Sequence, residues 1–236
     1  MRRDGLFDHV GDISNIHLHD VSDLMINTSQ AMLLFAKSVL RKSASKRKPV
    51  LTLSVLFITL AFTCAERLHP FVLVLLRRDP VALSHYQWWR VFTPLLVQPD
   101  PWRRALMVFL LFLIVGSLSE CLWKRTAWTI LYLVCGLTGE IAGYFWEPYN
   151  AGMSVAGAGL LGSLAAWMIL QAHSWQARVG GGFIVLCGTI LICTSDIHGP
   201  PILVGAFMGT IMIHNKDKSL LTPTDTYNEG GSPVGN

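Results

Sequence analysis

The sequence contains few charged residues for its length. Asp, Glu, Lys and Arg make up 14% of its 236 residues, whereas about a quarter is usual in a soluble domain. The shortage is concentrated after residue 49, where long apolar runs follow one another with short polar breaks. Strict alternation of apolar and polar residues is absent too, which argues against a membrane β-barrel. Because lipid accepts only helices or closed barrels, the composition predicts an all-α membrane protein.

The sequence also lacks the patterns typical of metal-binding and nucleic-acid-binding proteins. Its five cysteines form no CxxC or CxxxH pattern, so we expect no metal site, no disulfide and no cofactor. The formal net charge is +4, but the Lys and Arg residues are not gathered into a patch with interleaved aromatics. They lie mainly beside the apolar runs. We therefore expect the lipid bilayer, and not a nucleic acid, as the partner of this surface.

Six apolar runs are long enough to cross a bilayer. The predicted spans are 50–65, 105–122, 127–146, 152–171, 179–195 and 199–214. With the N-terminus inside, thirteen of the nineteen Lys and Arg fall on the cytoplasmic side, and the other six lie in the external stretch 66–104. This bias follows the positive-inside rule. It predicts an integral protein of the plasma (inner) membrane with both termini in the cytoplasm.

The sequence divides into three parts around this predicted membrane domain, which covers residues 50–215. Residues 1–49 are polar to mildly amphipathic, lack a signal peptide, and would form either a surface helix or a partly ordered cytoplasmic tail. Residues 216–236 are rich in Gly, Ser, Thr and Asn, which predicts a disordered cytoplasmic tail. The external stretch 66–104 is long enough to form a structured, partly inserted loop between the first two spans. Its Trp88-Trp89-Arg90 segment is typical of an anchor at the headgroup level.

Ionisable residues inside predicted spans need an explanation, because lipid disfavours them. Glu120 is followed four residues later by Lys124, and an i,i+4 pair at the helix end would account for it. Glu140 lies on a face of small residues suited to close helix packing, which favours a structural hydrogen-bonding role.

Ser154 and His198 are candidates for a different role. They lie at the outer starts of the fourth and sixth spans, so the topology puts both at the same end of the bundle and at a similar depth. A serine hydroxyl is a weak nucleophile until a base takes its proton, and a histidine within hydrogen-bond reach is such a base. Taken alone, the serine would more often serve helix packing, and the histidine would more often cap a helix or lie at the interface. Because the two residues share the same depth, we weight the catalytic hypothesis for the pair equally with the packing and capping roles.

Three segments resemble the rhomboid family of intramembrane serine proteases, in a divergent bacterial branch. Trp89-Arg90-Val-Phe-Thr93 is similar to the WRxFT motif, Gly152-Met-Ser154 to Gly159-Leu-Leu-Gly162 is similar to GxSGxxxGLLG, and His198-Gly199 falls on the histidine-glycine of the last core helix. Glu120 and Gly139 match the spacing of a glutamate and a glycine in two further helices. The resemblance implies a six-transmembrane-helix rhomboid-like bundle that cleaves transmembrane protein substrates near the outer leaflet. Ser154 would be the nucleophile and His198 the base.

The serine–histidine mechanism that this resemblance implies needs no acidic third residue, so Asp196 is interpreted as a solvated loop carboxylate. The chain departs from the pattern at Val155, where glycine is usual, and at Ala158, where an aromatic commonly stacks on the histidine. It also lacks the usual histidine and asparagine oxyanion donors, because Arg104 and Val108 stand at those places. Asn150 and Arg104 are the replacement candidates.

These departures keep two other functions open. One is a catalytically weak or inactive rhomboid-like protein that binds membrane helices without cutting them. The other is a small transporter, which has less support because no internal repeat or pair of broken helices is evident.

Overall fold

The computed structural model describes residues 48–221, with side chains described to residue 215. The expectations for residues 1–47 and 222–236 lie outside this part of the chain. The described part contains eight α-helices, which are α1 (Val50–Leu68), α2 (Phe71–Leu76), α3 (Pro80–Ser84), α4 (Trp102–Leu122), α5 (Arg125–Trp146), α6 (Ser154–Gln171), α7 (Trp175–Cys193) and α8 (Gly199–Leu221).

Five helices are long and apolar enough to cross a membrane, namely α1, α4, α5, α6 and α7. The expectation of an all-helical membrane protein is therefore confirmed. That α8, which has 23 residues, is a sixth span stays a prediction. Helices α1, α4, α5, α6 and α7 begin and end within four residues of the predicted spans, whereas α8 continues to Leu221, beyond the predicted end at residue 214. Helix α7 begins at Trp175, four residues before the predicted start at residue 179. It begins there because the Ser174 side chain caps the helix by accepting a hydrogen bond from the Ala177 N–H.

Helix α6 is the centre of the bundle, because ten of its 18 residues are buried against its neighbours. It packs against α4, α5, α7 and α8. Apolar and small residues occur all round this helix, which is the composition expected of a helix with no face left for solvent or lipid. The first residue of this central helix is Ser154.

Helices α6 and α8 meet along a seam of glycines formed by Gly159, Gly162 and Gly205. A Cβ atom placed on Gly205 would lie 1.9 Å from the Gly159 carbonyl oxygen, and one on Gly162 would lie 2.0 Å from the Ile202 oxygen. No real Cβ tolerates such distances to backbone atoms. The absence of side chains at these positions therefore lets the two backbones touch, as small residues do between membrane helices.

The external stretch between α1 and α4 is ordered around Arg90. In addition to α2 and α3 it contains two 3₁₀ turns, Trp88–Val91 and Thr93–Leu96. The Arg90 guanidinium is buried and donates to the carbonyl oxygens of Val74 at 2.8 Å and Arg77 at 3.0 Å. Arg90 therefore organises the inside of this loop, whereas the neighbouring Trp89 ring is 48% exposed. Insertion of the loop into the membrane stays a prediction.

Glu120 caps the start of α1. Its carboxylate accepts hydrogen bonds from the Thr52 N–H and hydroxyl, both at 2.9 Å, and from the Leu51 N–H at 3.1 Å. These are N–H groups that a helix start leaves without an intrahelical partner. The interpretation of Glu120 as half of an i,i+4 pair with Lys124 is wrong, because α4 ends at Leu122 and Lys124 lies beyond it.

Glu140 pairs with an arginine from the external stretch. Arg78 Nη1 lies 2.6 Å from Glu140 Oε2, and both side chains are buried. Arg78 Nε also donates to the Glu147 carbonyl oxygen at 3.1 Å, beyond the end of α5. The contact supports the structural interpretation of Glu140. It ties the external loop to the helix that precedes the Ser154 segment.

Candidate active site

Ser154 is held in place by the short connection that leads into α6. In that connection, the Gly152 N–H donates to the Pro94 carbonyl oxygen at 2.9 Å, and Met153 is completely buried. The chain is thereby fixed against the external stretch just before the helix begins. Ser154 follows as the first residue of α6, where the partial positive charge of a helix N-terminus favours nearby negative charge.

His198 lies immediately before α8 and contacts Ser154. The ring Nε2 is 3.0 Å from Ser154 Oγ, within hydrogen-bond distance across 44 residues of sequence. The two helices that carry these residues are the ones joined by the glycine seam. Direct backbone contact between α6 and α8 therefore brings the hydroxyl and the ring together.

Asp196 contacts the other side of the His198 ring. Its Oδ1 lies 2.7 Å from His198 Nδ1 and also accepts the His198 backbone N–H at 2.9 Å. The interpretation of Asp196 as a solvated loop carboxylate holds only in part, because the carboxylate is 39% exposed but also contacts the His198 ring. The turn after α7 is responsible, because Ser195 adopts a left-handed φ of 58°, which reverses the chain so that the carboxylate faces the ring.

The Asp196 carboxylate keeps its charge at neutral pH. Burial alone would raise its pKa, but hydrogen bonds from the His198 backbone and ring, together with the charge of that ring, hold the pKa below its ordinary value of 3.8. The ionised carboxylate adds to the free energy of unfolding at pH values above 3.8. This stabilisation is lost as the pH falls through the lowered pKa. An ionised carboxylate only accepts, so Nδ1 carries a hydrogen, and in the neutral form of the ring Nε2 is the nitrogen that accepts a hydrogen bond from Ser154 Oγ.

Two cavities meet at Ser154 and His198. One, of about 300 Å³, is almost wholly apolar and lies between α4, α6 and α8. Its lining includes Ala158, so the place where the family commonly has an aromatic is here open space beside His198. The other, of about 440 Å³, is bordered by the external stretch and by the connection into α6, and its lining includes Gln98 and Asn150. A peptide lying across Ser154 would thus have an apolar space on one side and a polar space on the other.

Comparison with known proteins assigns the family. Residues 85–214, more than half of the chain, match the family model of the rhomboid domain. The chain belongs to the rhomboid family. The rhomboid protease GluP of Bacillus subtilis (strain 168) is 30% identical over 105 residues, which is 44% of this chain and 20% of that relative. The aligned part thus spans only a fifth of the length of the relative.

The two replacement oxyanion candidates of this rhomboid are both engaged elsewhere. The Arg104 side chain is 72% exposed and lies 3.6 Å from the Asp100 carboxylate. Arg104 does not line either cavity at Ser154. Asn150 does line the polar cavity, but its Nδ2 donates to Glu147 Oε2 at 2.6 Å and its Oδ1 accepts the Ala151 N–H at 2.8 Å.

Gln98 is a polar residue of this cavity that sequence reasoning missed. Only 2% of its surface is exposed, and its backbone N–H donates to Thr63 Oγ1 at 3.0 Å. Its sequence position, in a loop more than fifty residues before Ser154, gives no signal that the two residues line one cavity. The folded external stretch brings the Gln98 side chain into this cavity.

Proposed function

We propose that this protein is an intramembrane serine protease that cleaves transmembrane proteins near the outer leaflet. In the first step His198 Nε2 takes the Ser154 hydroxyl proton while Oγ attacks the scissile carbonyl carbon. The C–N bond then breaks, His198 gives the proton to the leaving amine, and an acyl ester remains on Ser154. Water loses a proton to Nε2 as it adds to this ester. The ester C–O bond breaks, and Ser154 regains its proton.

The observation that carries the proposal is the hydrogen-bonded chain of three side chains. Ser154 Oγ is 3.0 Å from Nε2 of His198, and the opposite nitrogen of the same ring is 2.7 Å from Asp196. Nucleophile, base and orienting acid are thus in the order that activates a serine. The apolar cavity beside them suits a substrate that arrives from lipid, and the polar cavity gives space for the water of the second step.

The proposed orientation puts this chemistry outside the cytoplasm, at the plasma (inner) membrane. Ser154 and His198 lie at the bundle end that carries the external stretch. The opposite end carries Lys124 in the turn before α5, Arg125 at the start of α5 and Arg178 in the first turn of α7. This distribution supports cytoplasmic termini by the positive-inside rule.

Covalent labelling tests the function. We expect a fluorophosphonate to attach to Ser154 of the full chain in lipid vesicles, because only an activated serine reacts readily with it. The adduct is located by mass spectrometry of proteolytic peptides. Ser154→Ala should lose the label, whereas Ser84→Ala, which changes an exposed serine of the external stretch, should keep it. A folded wild-type protein that takes no label, or takes it elsewhere, contradicts the proposal.

A second candidate function is a rhomboid-like protein that binds membrane helices without cutting them. The observation in its favour is that Arg104 and Asn150 bind Asp100 and Glu147 and leave the oxyanion position without the expected donors. Such a protein would bind transmembrane segments equally well with and without Ser154. It would take no fluorophosphonate label.

Asp196→Asn should slow the reaction without unfolding the protein. The amide can present its NH₂ to the ring and favour the wrong histidine tautomer, which costs about 10⁴-fold in soluble serine proteases with a buried aspartate. Asp196 is 39% exposed and water screens its charge, so we expect a smaller loss of roughly 10- to 100-fold in labelling rate. Asp79→Asn is the matched control, because asparagine also caps α3. An Asp196→Asn protein as fast as wild type would show that the contact is only structural.

A further inference from the structure

Attack on a carbonyl creates a negatively charged oxygen that needs a hydrogen-bond donor. Preorganised donors at this position are usually a large part of catalysis. The backbone N–H of Ser154 is one available group, because the first N–H groups of a helix have no partner within the helix. Of the side chains expected to add a second donor, Arg104 lies outside the cavity, and Asn150 is exposed and has partners for both its amide nitrogen and its amide oxygen.

The side chain of Gln98 reaches the same space as Ser154. Both residues line the polar cavity, together with His198. A Cβ atom built on Gly152 would lie 3.1 Å from Ser154 Oγ, 3.4 Å from Gln98 Oε1 and 3.6 Å from Gln98 Nε2. Ser154 Oγ and both polar atoms of the Gln98 amide therefore lie on the same side of Gly152. Because Gly152 has no side chain, nothing from this residue stands between them.

The Gln98 amide is oriented and incompletely bonded in the free protein. Its Nε2 donates one hydrogen to Asp100 Oδ2 at 2.6 Å, which fixes the plane of the amide. An amide nitrogen carries two hydrogens, so one donor remains. Its Oε1 is buried without a partner. Buried polar atoms without partners are rare in folded proteins and ask for an explanation.

We propose that Gln98 is a catalytic residue whose Nε2–H donates to the oxyanion formed when Ser154 attacks the substrate. The inference rests on the proposed protease function and adds a donor to it. The carbonyl carbon bonds to Ser154 Oγ, and its oxygen lies in the polar cavity that Ser154 and Gln98 both line. Oε1 then accepts a backbone N–H of the same substrate segment, so the amide gains its missing partner when substrate binds. The Asp100 carboxylate is a positioning group for this amide.

Gln98→Met tests the proposal, because methionine has a similar length and no hydrogen-bonding hydrogens. The donor to the oxyanion acts only in the transition state, so its loss lowers kcat, whereas loss of the Oε1 contact with bound substrate raises KM. We expect kcat for cleavage of a transmembrane substrate, and the rate of fluorophosphonate labelling, to fall by about 10²- to 10³-fold. Gln171→Met, at the opposite end of α6, is the matched control and should keep the wild-type rates.

The comparison requires that Gln98→Met in vesicles still shows a thermal unfolding transition. If this variant does not fold, Gln98→Asn is used instead. Its shorter amide stays polar but withdraws the donor from Ser154. We then expect a loss of at least about tenfold. A folded variant with the wild-type kcat and labelling rate overturns the role of Gln98, provided that wild type is labelled at Ser154. A wild type without label overturns the protease proposal itself, and the two failures are thereby distinguished.

Discussion

His198→Ala is expected to abolish most of the reactivity of Ser154. General-base catalysis by a positioned side chain contributes about 10²- to 10⁴-fold, and the Ser154 hydroxyl is a poor nucleophile without it. The loss should appear in fluorophosphonate labelling and in substrate cleavage alike, because both begin with removal of the same proton. The ring is half-buried and its Nε2 contacts Ser154 at 3.0 Å, so alanine removes the base while leaving the glycine seam intact.

His173→Ala is the matched control for this prediction. His173 is exposed in the turn between α6 and α7, at the opposite end of α6 from Ser154. The His173→Ala variant should be labelled by the fluorophosphonate, and should cleave substrate, at the wild-type rates. If His198→Ala, still folded, reacted at the wild-type rate, another group would have to be the base, and the proposed chemistry would be wrong.

Removing either partner of the Arg78–Glu140 pair should destabilise the protein more than any other single polar change considered. Both side chains are buried, and Arg78 Nη1 lies 2.6 Å from Glu140 Oε2. Arg78→Ala therefore leaves an uncompensated carboxylate in the bundle. Breaking a buried ion pair in this way costs about 3–5 kcal/mol of the free energy of unfolding. Glu140→Ala should cost a similar amount. Unfolding by SDS in mixed micelles measures both.

Two further variants show whether charge burial is the cause. Arg78→Met with Glu140→Met replaces both ions by apolar groups and should recover most of the lost stability, as such replacements often do. Arg104→Ala breaks an exposed contact with Asp100 and should change the free energy of unfolding by only about 0–1 kcal/mol. A single Arg78→Ala variant as stable as wild type would contradict the assignment of this pair as the anchor of the external loop.

The sequence allowed the helices to be predicted because lipid imposes a simple requirement on them. A run of about twenty apolar residues is readable without knowing its neighbours. The juxtaposition of Ser154 and His198 was also predictable, because topology alone puts the starts of the fourth and sixth spans at one end. Helix boundaries were less certain, since they depend on local caps such as Ser174.

Contacts made by irregular segments could not be predicted. Asp196 reaches His198 only because Ser195 takes a left-handed conformation, which a non-glycine residue seldom adopts. The folded external stretch brings Gln98 into the cavity at Ser154, and it brings Arg78 to Glu140. Glu120 was misassigned because the end of α4 at Leu122 decides whether Lys124 is on the same helix.

The glycine seam between α6 and α8 has a consequence for how the protein responds to its lipid. Because Gly205 rests directly on the Gly159 backbone, the two helices are in backbone contact with no side chain between them. A thinner or thicker bilayer, which proteins accommodate by tilting their helices, would therefore rotate Ser154 and His198 together as one rigid unit. Bilayer thickness would then alter the depth at which a substrate helix is presented to the serine. It would leave the spacing of the reacting groups unchanged.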